Sequence, residues 1–175
     1  TSRYGPLWTL ITSGFAALFG SASLFLQVLA MKLIATMSHC ALALGVARLS
    51  ALVAFRWRQA AFVLIAFSPL FVTEGPGSGH NDTLMLALAV WGVVAWQQQK
   101  LKAACILLGI AGAIKFIAFA LPVWLIGRHW AKDSRTWPLA AVLACISLVP
   151  FVALQLYFVR DISALLAALR FSYAG

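Results

Sequence analysis

Long apolar stretches separated by short polar breaks run through the chain. About 20 apolar residues cross a bilayer, so residues 21–49, interrupted only by Lys32 and His39, predict a full crossing. Residues 7–19 are shorter and end at Gly20-Ser21, which predicts an interfacial or re-entrant helix. Arg3-Tyr4-Gly5-Pro6 predicts a turn before that helix, with Pro in its first turn. A second crossing is expected over 59–73, with Pro69 placed to kink it. After the polar stretch Glu74-Gly75-Pro76-Gly77-Ser78-Gly79-His80-Asn81-Asp82, an apolar helix runs from 81 to 96 and closes on Gln97-Gln98-Gln99-Lys100. Residues 103–126 are apolar but carry Lys115 in the middle. They read either as one long helix with a buried lysine or as two shorter helices meeting there, the second shaped by Pro122. A last crossing is expected over 137–158, and residues 162–169, beyond Arg160-Asp161, read as an amphipathic surface helix.

The positions of the cations choose between the two readings of 103–126. Cytoplasmic connections carry the Lys and Arg excess, and three clusters qualify: Arg48/Arg56/Arg58, Lys100/Lys102 and Arg128/Lys132/Arg135. For all three to share one side, the chain must turn back close to Lys115. Each arm then has about 12 to 14 residues, about 20 Å of helix, so the reversal falls below the far surface of the bilayer. A helix break at that depth survives only inside protein or against a water-filled cavity. Trp57, Trp96, Trp130 and Trp137 stand beside the basic clusters, at the headgroup level that indoles favour. The same topology puts Arg3, Tyr4, Glu74, His80, Asp82 and Lys115 together on the opposite, extracytoplasmic face.

Composition agrees with a membrane origin. Of 175 residues, 63% are hydrophobic and 10% charged, against about 25% charged in soluble domains. The expectation is therefore an all-α, polytopic transmembrane helix bundle, with short broken helices around Lys115 and interfacial helices near both ends. Residues 1–175 form a single integral-membrane domain on this reading. The net charge of +9 lies in short clusters between apolar runs, with no basic arm or stripe. That distribution fits anionic membrane lipids as partners and excludes nucleic acid. Cys40, Cys105 and Cys145 each lie within an apolar run and read as small buried core residues. The opening Thr1-Ser2-Arg3 has no initiator Met or signal pattern and reads as part of something longer.

Residues 74–82 hold two of the four acidic side chains. Glu74, His80 and Asp82 suit acid–base work or hydroxyl recognition, and Lys115 offers a fixed cation for an anionic leaving group in a poorly solvated cavity. An ionisable group at membrane depth ordinarily faces a polar pathway or a partner; the structural alternative is that Lys115 snorkels or pairs with a carbonyl freed by the break. Lys32 and His39, one heptad apart on one helix face, fit either a path or a structural role. Asn81 and Asp82 precede an apolar helix and suit an N-cap and an acidic first turn, which alone accounts for both. Three glycines in five residues permit close backbone approach to a ligand, or merely a sharp turn. His80 and Asp82 are too few for a metal site, which usually assembles three protein ligands. Gly109 and Gly112 fit close helix packing.

Tyr4-Gly5-Pro6-Leu7-Trp8, then Glu74 through Gly79-His80-Asn81-Asp82 into Leu84-Met85-Leu86-Ala87-Leu88, then Leu108-Gly109 through Ile114-Lys115-Phe116 with Leu121-Pro122, resembles the polyprenyl-phosphate-sugar-dependent C-type glycosyltransferases, in particular their bacterial mannosyltransferase branch. The resemblance covers nearly the whole chain. It implies a multi-pass enzyme of the bacterial inner membrane that moves a hexose, mannose in this branch, from a polyprenyl-phosphate carrier to an acceptor hydroxyl of a glycolipid or glycan on the extracytoplasmic face. By the same resemblance Asp82 and His80 are the catalytic candidates, and Lys115, Glu74, Asn81, Tyr4 and Arg3 the substrate-binding ones, with Lys115 on the phosphate. No cofactor is assigned, and the need for a divalent metal is open. Members of this superfamily usually carry a catalytic carboxylate in a first large outer loop, and none precedes Tyr4; an N-terminal portion is expected to supply it. Two other classes stay open: a transporter or flippase module for an anionic substrate, with Lys32, His39 and Lys115 lining a path from both faces, and a noncatalytic membrane subunit.

Overall fold

The computed structural model describes residues 5–78, 80–132 and 137–158. The expected residues Arg3 and Tyr4, and the surface helix at 162–169, lie outside them. All regular structure in the described residues is helical: α1 (Pro6–Phe19), α2 (Leu24–Val53), α3 (Arg58–Phe67), α4 (Pro69–Val72), α5 (Asp82–Gln97), α6 (Leu101–Ile114), α7 (Ala120–Lys132) and α8 (Trp137–Phe158). Short 3-10 turns at Phe55–Trp57 and Phe116–Phe119 and a π turn at Thr73–Gly77 link them. Two helices are long and apolar enough to cross a membrane, Leu24–Val53 and Pro138–Leu156. The bent pair Phe55–Phe67 and Pro69–Gly77 makes a third if taken as one span.

The bend in that pair is 48° and falls where the sequence placed a kink. Proline at 69 forces the preceding residue out of the helical region, and Ser68 is extended at φ −63°, ψ 124°. The break in 103–126 is sharper. Helix α6 stops at Ile114, Lys115 is extended at φ −142°, ψ 127°, and the 3-10 turn leads into α7. Of the two readings of this run, two shorter helices is the one found. Cys105, early in α6, packs with Ile126, late in α7, together with Ala140 and Leu143 of α8. Helix α7 therefore returns to the end from which α6 set out.

Helices α5 and α6 form the centre, with α2 and α8 against their flanks. Met85 and Ala89 of α5 meet Leu108, Ala111 and Ile114 of α6, sealed by Ala118 and Leu125. Close approach depends on small residues: a Cβ on Gly109 would come nearer than 3.0 Å to the Ser147 backbone of α8, the use of glycine expected in a lipid-surrounded interface. Helix α5 closes with Gln99 at φ 61° and the Lys100 N–H donating to the Ala95 carbonyl at 2.9 Å, a left-handed cap formed without glycine.

One expectation for the core needs correction. Cys105 is buried, but Cys40 and Cys145 are exposed on the outer sides of α2 and α8. Apolar residues all round a helix do not distinguish the packed face from one left to lipid or to another helix.

Candidate functional site

The two ends of the bundle differ in chemistry. At one end Trp57, next to Arg56 and Arg58, Gln99 and Leu101, on either side of Lys100, and Arg128 line a common cavity, so described parts of the three basic clusters lie at one end. At the other end, the start of α1, the start of α5 and the break after α6 converge. The Gly5 N–H donates to the Ile114 carbonyl at 2.8 Å. A Cβ on Gly5 would fall closer than 3.0 Å to the Ala113 and Ile114 carbonyls, so only glycine lets the chain lie here.

The break aims Lys115 across this junction. Its ammonium donates to Asp82 Oδ1 and forms an ion pair with it. Asp82 is in the first turn of α5, where the partial positive charge of the helix end also favours a carboxylate. The pair is half-sheltered, 29% of the lysine side chain and 46% of the aspartate side chain being exposed. Of the two structural alternatives for Lys115, pairing with a freed carbonyl is not what is found: its ammonium reaches a carboxylate.

Beside this pair, His80 Nε2 lies 3.4 Å from Glu74 Oε2, both half exposed. The stretch carrying them is held by α2. Lys32 Nζ donates to the Gly77 carbonyl at 2.6 Å and to that of Pro76 at 3.4 Å. One heptad further along the same face, His39 Nε2 is 3.2 Å from the Ala66 carbonyl, near the C-terminus of α3 where helix carbonyls lack intrahelical partners. Lys32 and His39 thus fasten the π turn and the end of α3 to α2, which is the structural one of their two expected roles.

Asn81 departs from its expected role. It occupies the N-cap position of α5, yet its backbone is helical, at φ −72°, ψ −10°, and its side chain makes no capping bond. The side chain is buried at 3% exposure and Nδ2 has no hydrogen-bond partner. It borders a narrow cleft with Trp8, Ala35, Ser38 and His80. Trp8 closes the first of the motifs quoted from the sequence, whereas Ser38, a serine within an apolar run, was not singled out; only the crossing of α1 and α2 over the start of α5 brings them here. Among the described residues no three metal-ligating side chains gather. Arg3 and Tyr4 precede Gly5 directly but are not among the described residues.

A helical membrane protein built around a broken helix, with a cluster of polar and charged side chains at one end of an apolar bundle and a cavity bordered by Arg128 and His129 at the other, is the class that this fold and site define. The family described as alpha-(1->6)-mannopyranosyltransferase, N-terminal domain, matches residues 1–132, and the chain belongs to that family. The chain is also 28% identical over 158 residues to alpha-(1->6)-mannopyranosyltransferase A of Mycobacterium tuberculosis (strain ATCC 25618 / H37Rv). That alignment takes in 87% of this chain but 30% of the relative's length. No solved structure matches. The resemblance to the bacterial mannosyltransferase branch is borne out; all three motifs that carried it fall within the matched residues.

Proposed function

We propose that this chain forms part of a membrane mannosyltransferase and supplies the pocket in which a mannosyl unit leaves a polyprenyl-phosphate carrier for an acceptor hydroxyl, on the extracytoplasmic face. The observation that carries the proposal is the meeting of Lys115 and Asp82 at the junction of all three family motifs. An ammonium held by one carboxylate keeps two N–H groups free, already aimed, for an anionic leaving group. As the bond from the anomeric carbon to the phosphate oxygen breaks, negative charge grows on the phosphate and Lys115 offsets it.

The acceptor hydroxyl loses a proton as it attacks the anomeric carbon. Asp82 is engaged by Lys115, which suits it to holding that ammonium in place. His80, exposed and oriented by Glu74, is the better placed to accept that proton. The Asn81 amide, buried and unpartnered beside His80, is a donor for a sugar hydroxyl. Polar groups gather at one end, and the apolar cluster of Met85, Leu108 and Leu125 lies between that end and the basic one, which favours this reading over a transport path. In the full-length protein, Lys115→Ala should abolish mannosyl transfer from the lipid donor while membrane insertion persists. Turnover at the wild-type rate would overturn the proposal.

A further inference from the structure

We infer that the cavity at the basic end of the bundle holds the headgroup of an anionic phospholipid. The cavity measures about 780 Å³ and opens between the end of α2, the end of α5, the start of α6 and the end of α7. It is far from the ion pair of Lys115 and Asp82, with the apolar centre of the bundle between them.

Its chemistry is that of a phosphate site at headgroup depth. Arg128 and His129 line it. The Arg128 guanidinium carbon sits 5.6 Å from the Trp124 ring centroid, and His129 meets Trp96 edge-on at 5.9 Å. A guanidinium resting on an indole keeps its N–H edges free, and those edges match two oxygens of a phosphodiester. Both described carboxylates, Glu74 and Asp82, belong to the opposite end, and neither lines this cavity. Ser50, Gln97 and Gln99 add neutral hydrogen-bonding groups, as a glycerol-bearing headgroup requires. Leu49, Val53 and Val93 form an apolar wall on which the first methylenes of an acyl chain can lie, a surface of no use to a soluble anion. Trp57 and Trp96 also border the cavity, in keeping with the interfacial level at which tryptophan concentrates. Arg56, Arg58, Lys100 and Lys102 at the same end enrich anionic lipid around it.

The test is photocrosslinking of the full-length protein in phosphatidylcholine vesicles doped with a diazirine phosphatidylglycerol or, separately, a diazirine phosphatidylcholine. Labelled peptides are mapped by mass spectrometry. The glycerol lipid should label the peptides that carry residues 93–101 and 124–129, and the choline lipid should label them weakly. Loss of a charge-assisted contact in Arg128→Gln should reduce the labelling about tenfold, and Arg128→Lys should restore only part of it, because an ammonium cannot make the two-point contact. Gln59→Ala, in the neighbouring cavity lined by Phe55 and Phe62, should leave it unchanged. Trp124→Leu, which removes the ring under the guanidinium, serves if Arg128→Gln fails to insert and should weaken labelling in the same direction. Equal labelling by both lipids, undiminished labelling of Arg128→Gln, or loss of labelling to excess inorganic phosphate would overturn the inference. So would the absence of label from these peptides, the outcome if other parts of the full-length protein fill the cavity.

Discussion

Lys115 and Asp82 should behave as one unit in both stability and turnover, and a double-mutant cycle measures whether they do. Lys115→Met leaves the Asp82 carboxylate without its counter-ion, and Asp82→Asn leaves the ammonium without its own. Exposed ion pairs couple by about 0.2–1 kcal/mol, whereas breaking a fully buried pair costs about 3–5 kcal/mol. With 46% of the aspartate side chain exposed, solvent screens the pair and the lower range governs; the more sheltered lysine, at 29%, moves the expectation to its upper edge. We therefore expect a coupling of about 1 kcal/mol, so that the double variant is less destabilised than the sum of the single ones.

The kinetic effect should be larger, because a charge aimed at a leaving group acts chiefly in the transition state. Removal of one preorganised electrostatic donor typically lowers turnover by about 10²–10³, and either single substitution in the full-length protein should fall in that range. If one unit is being dismantled, the second substitution adds little to the first. The measurements are thermal unfolding in detergent and initial rates of mannosyl transfer from a polyprenyl-phosphate-mannose donor, for all four members of the cycle. Strict additivity in both would refute the reasoning, since it would mean that the two side chains act independently.

Three further outcomes follow from the packing. Gln99→Gly should raise the unfolding midpoint, because a side chain at φ 61° is strained by about 1 kcal/mol relative to glycine; an unchanged or lower midpoint counts against the cap. Gly109→Ala forces a Cβ against the Ser147 backbone of α8 and should destabilise by about 1–3 kcal/mol, read from the same melt. Lys32→Met removes the bonds to the Pro76 and Gly77 carbonyls, so amide hydrogen exchange over residues 74–78 should speed up while that of α5 stays as it was; equal protection in both proteins would show that the lysine does not hold this turn.

The reversal at Lys115 was legible because two constraints met there. A lone cation in an apolar run and basic clusters on either side of it left no other way to keep those clusters together, and the extended backbone at Lys115 is the physical form of that turn. What one sequence does not disclose is which long-range partner a residue takes. Lys115 and Asp82 are separated by 33 positions, and nothing in either neighbourhood selects the other; the fold does so by ending α6 level with the start of α5. Lys32 shows the same limit from the other side, since its helix face was readable but the carbonyls it meets depend on where Pro69 bends the following segment. Asn81 shows a third form of it. Local propensity assigned its amide to capping, yet the helical backbone of Asn81 denies it that geometry and leaves Nδ2 buried and unpaired beside His80. A local rule broken next to catalytic candidates is where a ligand group is to be sought, because a buried donor without a partner is destabilising until something bonds to it.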